Sequence, residues 1–151
     1  MHHHPSRLDL ASYPHRFDIV ARFADIDPQW HLNNVKIAEY YQEGRVSFHR
    51  ALKQQFDIER GRGSRTLVAH QSMDYLSEIA YPGSVNVGVG VLRIGTTSYT
   101  LGLALQQNNR CVGLATAVLV HANAEGPAPL AARWRDILQS KLLPEEAQQP
   151  R

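Results

Sequence analysis

A single cysteine, Cys111, excludes an internal disulfide, and its place in the apolar run CVGLATAVLV marks it as a small core side chain rather than a nucleophile. No apolar stretch approaches the ~18 to 20 residues that cross a bilayer as a helix. The opening MHHHPSRLDL also lacks the hydrophobic segment of a signal peptide. A reducing, cytoplasmic setting without a membrane span is therefore expected. Basic residues are not clustered among aromatics and the formal net charge is only +2, so the electrostatic footprint of a nucleic-acid binder is missing. The composition of a disordered chain is missing too, since 43% hydrophobic against 20% charged residues are ordinary globular proportions. Three adjacent terminal histidines, His2, His3 and His4, make a poor metal site, and no metal or other cofactor is expected.

What is present suffices for one domain with a core, because a chain of this length buries about 70% of the surface it exposes unfolded. In HRFDIVARF, 15–23, Phe17, Ile19 and Ala21 alternate with Arg16, Asp18 and Val20, the period of a strand. In VKIAEYYQEGRVSFHRALK, Ile37, Tyr41, Gly44 and Phe48 recur at helical spacing, and Asn33 or Asn34 can supply the capping oxygen. Glycine inside a helix costs up to about 1 kcal/mol against alanine, so Gly44 implies a packing reason such as a sheet pressing on that face. The stretch ERGRGSR, with Arg60, Arg62 and Arg65, reads as a solvated exit loop, although its arginines also suit the phosphates of a small ligand.

The remainder is strand-like. Residues 65–78 form one candidate strand, and YPG at 81–83 a turn. Val85, Val87, Val89 and Val91 alternate with Asn86, Gly88 and Gly90 in the clearest period of two in the chain. Tyr99, Leu101, Leu103 and Leu105 repeat that pattern, QNNR turns the chain, and a last strand runs from about Cys111 to His121. Gly88 and Gly90, Gly102 and Ala104, and Gly113, Ala115 and Ala117 give each strand a face of small side chains, open to close approach by the helix or by a second subunit. A terminal helix is expected over PAPLAARWRDILQSKLL, with Leu130, Trp134, Ile137, Leu138 and Leu142 as its apolar residues and the last residues frayed. The order of strand, long helix, four-strand meander and end helix is an α+β layout with a helix lying across an antiparallel sheet.

Between the first strand and the helix lies ADIDPQWHLNN, Ala24 to Asn34. Asp25, Asp27 and Asn33 suit a plain helix start, where negative charge and a capping amide are favoured, with His31 an ordinary turn residue. The same groups also suit acyl chemistry. Asp27 can act as nucleophile or general base, His31 can hold or polarise a carbonyl, and the amides just after Asn33 can donate to a developing oxyanion. No Ser or Cys nucleophile and no metal is needed.

DIDPQWHLNN leading into IAEYYQEGR resembles the signature of hotdog-fold acyl-CoA thioesterases of the 4-hydroxybenzoyl-CoA thioesterase type, in which an Asp-x-x-x-His-x-Asn segment joins the first strand to a long central helix. MDYLSEIAYPGSVNVGVGVLRIGTTSYTL is similar to the second-strand tyrosine, Pro-Gly turn and following strand pair of that family. The resemblance implies a hotdog fold, with an antiparallel sheet of about five strands wrapped around the central helix, plus a C-terminal helix. It also implies a division into a flexible N-terminal segment (1–14), the thioesterase-like domain (15–122) and a C-terminal helical extension and tail (123–151).

Carried over residue by residue, the family roles make Asp27 the catalytic carboxylate, His31 the histidine near the thioester and Asn33 the asparagine at the helix start. The oxyanion donors would be the backbone amides of Asn34 and Val35, and Asp25 would be structural. Family members are dimers or tetramers with sites between protomers, so a homodimer or homotetramer is implied, with His70, Gln71 and Ser72 facing a partner's helix start. Glu39 and Glu43 are helix carboxylates without an assigned reach, and Trp30 is an unusual residue within the motif. Arg62, Arg65, Arg93 and Arg110 become candidate partners for the phosphates of an acyl-CoA substrate. The expected reaction is hydrolysis of an acyl-CoA thioester. A hotdog dehydratase or hydratase, or a non-catalytic module that binds acyl-CoA or acyl carrier protein, is the alternative, since fold does not fix function.

Overall fold

The computed structural model describes residues 3–56 and 64–144. Arg60, Arg62 and the C-terminal residues expected to fray therefore lie outside the described part. Strands β1 (His15–Val20), β2 (Arg65–Tyr75), β3 (Ser84–Ile94), β4 (Ser98–Gln107) and β5 (Arg110–Asn123) form one antiparallel sheet in the order β1-β3-β4-β5-β2. The sheet curls around α2 (Asn34–Phe56), a helix of 23 residues. A short strand not anticipated from sequence, β6 (Gly126–Pro127), folds back on the end of β5. The β4–β5 hairpin turns on Asn108 and Asn109, with φ of 51° and 59°, the positive pair that a two-residue primed turn requires and that asparagine tolerates. Among the described residues no helix is long and apolar enough to cross a membrane.

The helical stripe buries against the inner face of the sheet. Ile37, Tyr41 and Phe48 join Val85, Val87, Val89 and Val91 in the main core. Gly44 lets the two layers approach closely, since a Cβ there would lie 2.5 Å from Cγ1 of Val87.

The faces of small residues serve two different neighbours. On β5, Ala115 and Ala117 join the helix-side core, and Gly113 makes room for the hydroxyl of Tyr41. On β3 and β4 they point outward, and the chain's own two ends cover them. Leu10 and Tyr13 lie over Gly88, Pro14 and Leu143 over Gly90, and Leu143 over Gly102. Tyr13, Leu143, Ala104 and Leu114 close into a small second core.

The described part of residues 1–14 packs on that face. It holds α1 (Pro5–Leu8), a 3-10 turn (Leu10–Ser12) and the buried Tyr13. Arg7 donates to the carbonyl of Ala115 at 3.1 Å, and the Tyr13 hydroxyl donates back to the carbonyl of Arg7 at 2.7 Å. The cause is the outward face of small residues, which would otherwise leave apolar backbone and side chains in water.

The C-terminal helix also differs from expectation. Helix α3 (Ala132–Gln139) buries Ile137 and Leu138 but ends before Leu142. The chain then extends along the part of β3 that β1 leaves unpaired: Val91 N–H donates to Lys141 at 2.9 Å, and Leu143 N–H donates to Val91 at 2.8 Å. Extended geometry alternates sides, so Leu143 is buried while Leu142 is 36% exposed.

Candidate active site

The loop from β1 to α2 is anchored from below by Asp25, whose side chain is wholly buried. Its carboxylate accepts from the Arg22 guanidinium at 2.9 Å and 3.3 Å, the Arg22 amide at 3.1 Å and the Tyr40 hydroxyl at 2.6 Å. Burial alone would raise its pKa, but the bonds from Arg22 and Tyr40 outweigh that and hold it at about 2. Burial and the same carboxylate push the Tyr40 phenol well above its ordinary value. The Asn33 amide donates to the Asp25 carbonyl at 2.9 Å. Asp25 thus ties the loop both to its own start and to the helix.

Above that anchor the chain makes a tight turn. Oδ1 of Asp27 accepts from the amides of Gln29 at 2.9 Å and His31 at 3.2 Å. The Trp30 amide donates to the Asp27 carbonyl at 3.0 Å, and the Asp27 amide to the His31 carbonyl at 2.9 Å. The turn places Trp30 at φ 64°, a left-handed conformation that favours glycine. Its indole is exposed and meets the ring of Phe23 edge-on at 6.3 Å.

His31 is held by a segment far away in sequence. Its Nε2 lies 3.1 Å from Oε2 of Glu78, and the Leu32 amide donates to the Ile79 carbonyl at 3.1 Å. Asn33 caps α2, its Oδ1 accepting from the Val35 amide at 2.8 Å. Of the two amides expected at an oxyanion, Val35's is therefore already engaged, whereas Asn34's has no protein partner among the described residues.

Asp27, His31 and Asn34 line one cavity of about 360 Å³, lined on its other side by Tyr75, Leu76 and Glu78. Glu78 and Tyr75 were not singled out from sequence as site residues. Nothing in their local spacing marks them, because β2 and the segment after it come beside the helix start only through the sheet order. The other candidates fall elsewhere. Gln71 accepts from Arg45, Ser72 shares a hydrogen bond with Thr116, and His70 is exposed on the same strand. Glu39 pairs with Lys36 and, with Glu43, borders a groove between β1 and α2. Arg65, Arg93 and Arg110 are exposed and do not line the Asp27 cavity.

Residues 21–149 match the model of the thioesterase-like superfamily. YsmA, an uncharacterized protein of Bacillus subtilis (strain 168), is 26% identical over 125 residues, which span 83% of this chain and 82% of YsmA. The structure of a predicted thioesterase from Bacillus stearothermophilus is similar with a TM-score of 0.73 at 26% identity, covering 84% of this chain and 95% of that one. A thioesterase from Thermus thermophilus, complexed with coenzyme A and Zn, gives a TM-score of 0.74 at 25% identity, covering 92% and 98%. The curled sheet around one long helix agrees with these likenesses, and the chain belongs to the thioesterase-like superfamily as a hotdog-fold thioester hydrolase.

Proposed function

We propose that the protein hydrolyses an acyl-CoA thioester to the free acid and coenzyme A, with Asp27 as the working carboxylate. The observation that carries this reading is that Asp27 shares its cavity with the amide of Asn34, unpartnered among the described residues, at the start of a long helix. One carboxylate oxygen is held by two backbone amides. The other has no protein partner among the described residues and accepts a proton from the attacking water. The water oxygen bonds to the thioester carbon, and the carbonyl oxygen becomes an oxyanion. The Asn34 N–H and the positive end of the helix dipole stabilise that charge. The carbon–sulfur bond then breaks, and coenzyme A leaves as thiolate and regains a proton. His31, steadied by Glu78, flanks the thioester, and Asn33 holds the helix start in place.

The substrate class is supported by the coenzyme A complex of the Thermus relative. In this reading residues 15–122 are the catalytic unit of a cytoplasmic enzyme, and the extension beyond it braces the outer face. The cavity opens beside Tyr75 at the end of β2, an edge strand whose Leu67, Val68 and Tyr75 are exposed. A second protomer pairing there would close it and bring His70, Gln71 and Ser72 to the interface.

The test is thiol release from short, long and aromatic acyl-CoA esters by the wild type and Asp27→Asn. Asparagine keeps the Oδ1 acceptor that holds the turn, so the variant is expected to fold, and its kcat should drop about a hundredfold or more. Equal activity of the two proteins would remove Asp27 from the mechanism. Binding of coenzyme A without release of thiol from any ester would leave a binding module instead.

A further inference from the structure

An oxyanion at the start of α2 meets one free amide where two were expected. The Val35 N–H is taken by Oδ1 of Asn33 at 2.8 Å, which leaves the Asn34 N–H as the donor without a protein partner among the described residues. Charge on a tetrahedral intermediate is held by several aligned donors, and removing one typically costs about a hundredfold or more in kcat. A second donor from a side chain of the same cavity would restore the pair. Of the described residues that line it, His31 alone can bring a positive charge, since Lys and Arg are absent among them.

The ring of His31 has one nitrogen committed. Its Nε2 lies 3.1 Å from Oε2 of Glu78, and an ionised carboxylate only accepts, so that nitrogen carries a hydrogen. Nδ1 has no protein partner among the described residues. In the neutral ring it is a bare acceptor, and in the imidazolium it is a second N–H. An imidazolium here has counter-charge on two sides, from Asp27 on its own loop and from Glu78 after β2. Tyr75 brings a phenol from β2, and α2 contributes Asn34 and Ile37, which carry no charge.

Glu78 is brought to His31 by its own chain. The Leu32 N–H donates to the Ile79 carbonyl at 3.1 Å, His31 and Ala80 form an antiparallel bridge, and the Ser77 N–H donates to the Val112 carbonyl at 3.2 Å. The backbone is therefore fixed on both sides of the carboxylate. The two side chains are 37% and 74% exposed, and so open an ion pair adds little to stability. Folding does not account for it.

We infer that Glu78 is a positioning residue that keeps His31 doubly protonated, so that the Nδ1–H of its imidazolium joins the Asn34 N–H as second donor to the oxyanion. The inference deepens the hydrolysis reading at Asp27 and rests on it. No proton leaves the ring during turnover: the proton of the attacking water goes to Asp27, and His31 acts by hydrogen bonding alone.

NMR of protein labelled with ¹⁵N-histidine reads the ring without turnover, with His31→Gln assigning its signals. Both ring nitrogens of His31 should carry hydrogen at mildly acidic pH. The loss of one hydrogen on raising the pH should come earlier in Glu78→Gln, because a neighbouring carboxylate favours the charged ring, while thermal stability stays unchanged. The same comparison in an Asp27→Asn background is independent of the reaction. A titration that Glu78→Gln leaves unmoved overturns the inference whatever Asp27 does.

Kinetics then tests the donor role. On an ester that the wild type hydrolyses at neutral pH, Glu78→Gln should lower kcat about tenfold or more with KM changed less than about twofold. The fall of kcat toward alkaline pH should shift to lower pH, and Glu78→Asp should recover most of the loss. A KM rise at unchanged kcat, or a loss equal at every pH, overturns the inference. If Asp27→Asn is as active as the wild type, the role of Asp27 falls, while a shifted pH profile in Glu78→Gln still upholds His31 as donor. Absence of turnover of every ester removes both.

Discussion

Asp25 and Asp27 lie two positions apart, and their surroundings divide them. Asp25 is enclosed by Arg22 and Tyr40, whereas Asp27 faces a cavity with one oxygen unpartnered among the described residues. The folded pKa of Asp25, about 2, lies below the ordinary 3.8. Its ionised form therefore stabilises the fold above the ordinary value, and that contribution is lost as pH falls through about 2. The shift corresponds to about 2 kcal/mol. Urea unfolding from pH 6 down to about pH 2 should show this loss in the wild type and its absence in Asp25→Asn. At neutral pH the variant should be less stable by roughly 2 to 4 kcal/mol, since it leaves Arg22 and Tyr40 around a neutral amide. Parallel pH profiles for the two proteins would show that Asp25 is not the linked group. Sequence identified both aspartates as part of one segment, but their different environments depend on Tyr40, a turn and a half into the next helix.

At the scale of elements, α2 and β3 approach closely at Gly44 and Val87. Alanine is the better helix former by up to about 1 kcal/mol. An added methyl would nevertheless meet a wholly buried valine that has little room to move. Gly44→Ala should therefore lower stability by a net ~1 to 3 kcal/mol in chemical denaturation, and a gain would show that the layers can separate at no cost. The helical stripe and the alternating valines were readable because each repeats within a few residues. The two-residue β6 has no period to read, and α3 is shorter than its apolar residues imply because the segment after it pairs with β3 instead.

For the whole molecule, the sheet has one long edge at β2 that is largely exposed. An edge carrying exposed Leu67, Val68 and Tyr75 invites pairing with another copy. Light scattering should give the mass of two or four chains, and Leu67→Lys should shift it toward one chain, with loss of thioesterase activity if the cavity is completed by a partner. A wild-type mass of one chain at micromolar concentration would remove the interface from the proposed function. Strand and helix periods and the turn at Asn108 and Asn109 are local patterns that backbone preference and side-chain alternation sufficed to reveal, whereas the Asp27, His31, Asn33 segment stood out only through its resemblance to a family signature. The pairing of His31 with Glu78, the bond from Arg45 to Gln71 and the cover of the outer sheet face by residues 10–14 and 143 bring together distant parts of the chain. Those depended on which strand lies beside which, because no short-range preference records a neighbour that arrives only when the sheet closes around its helix.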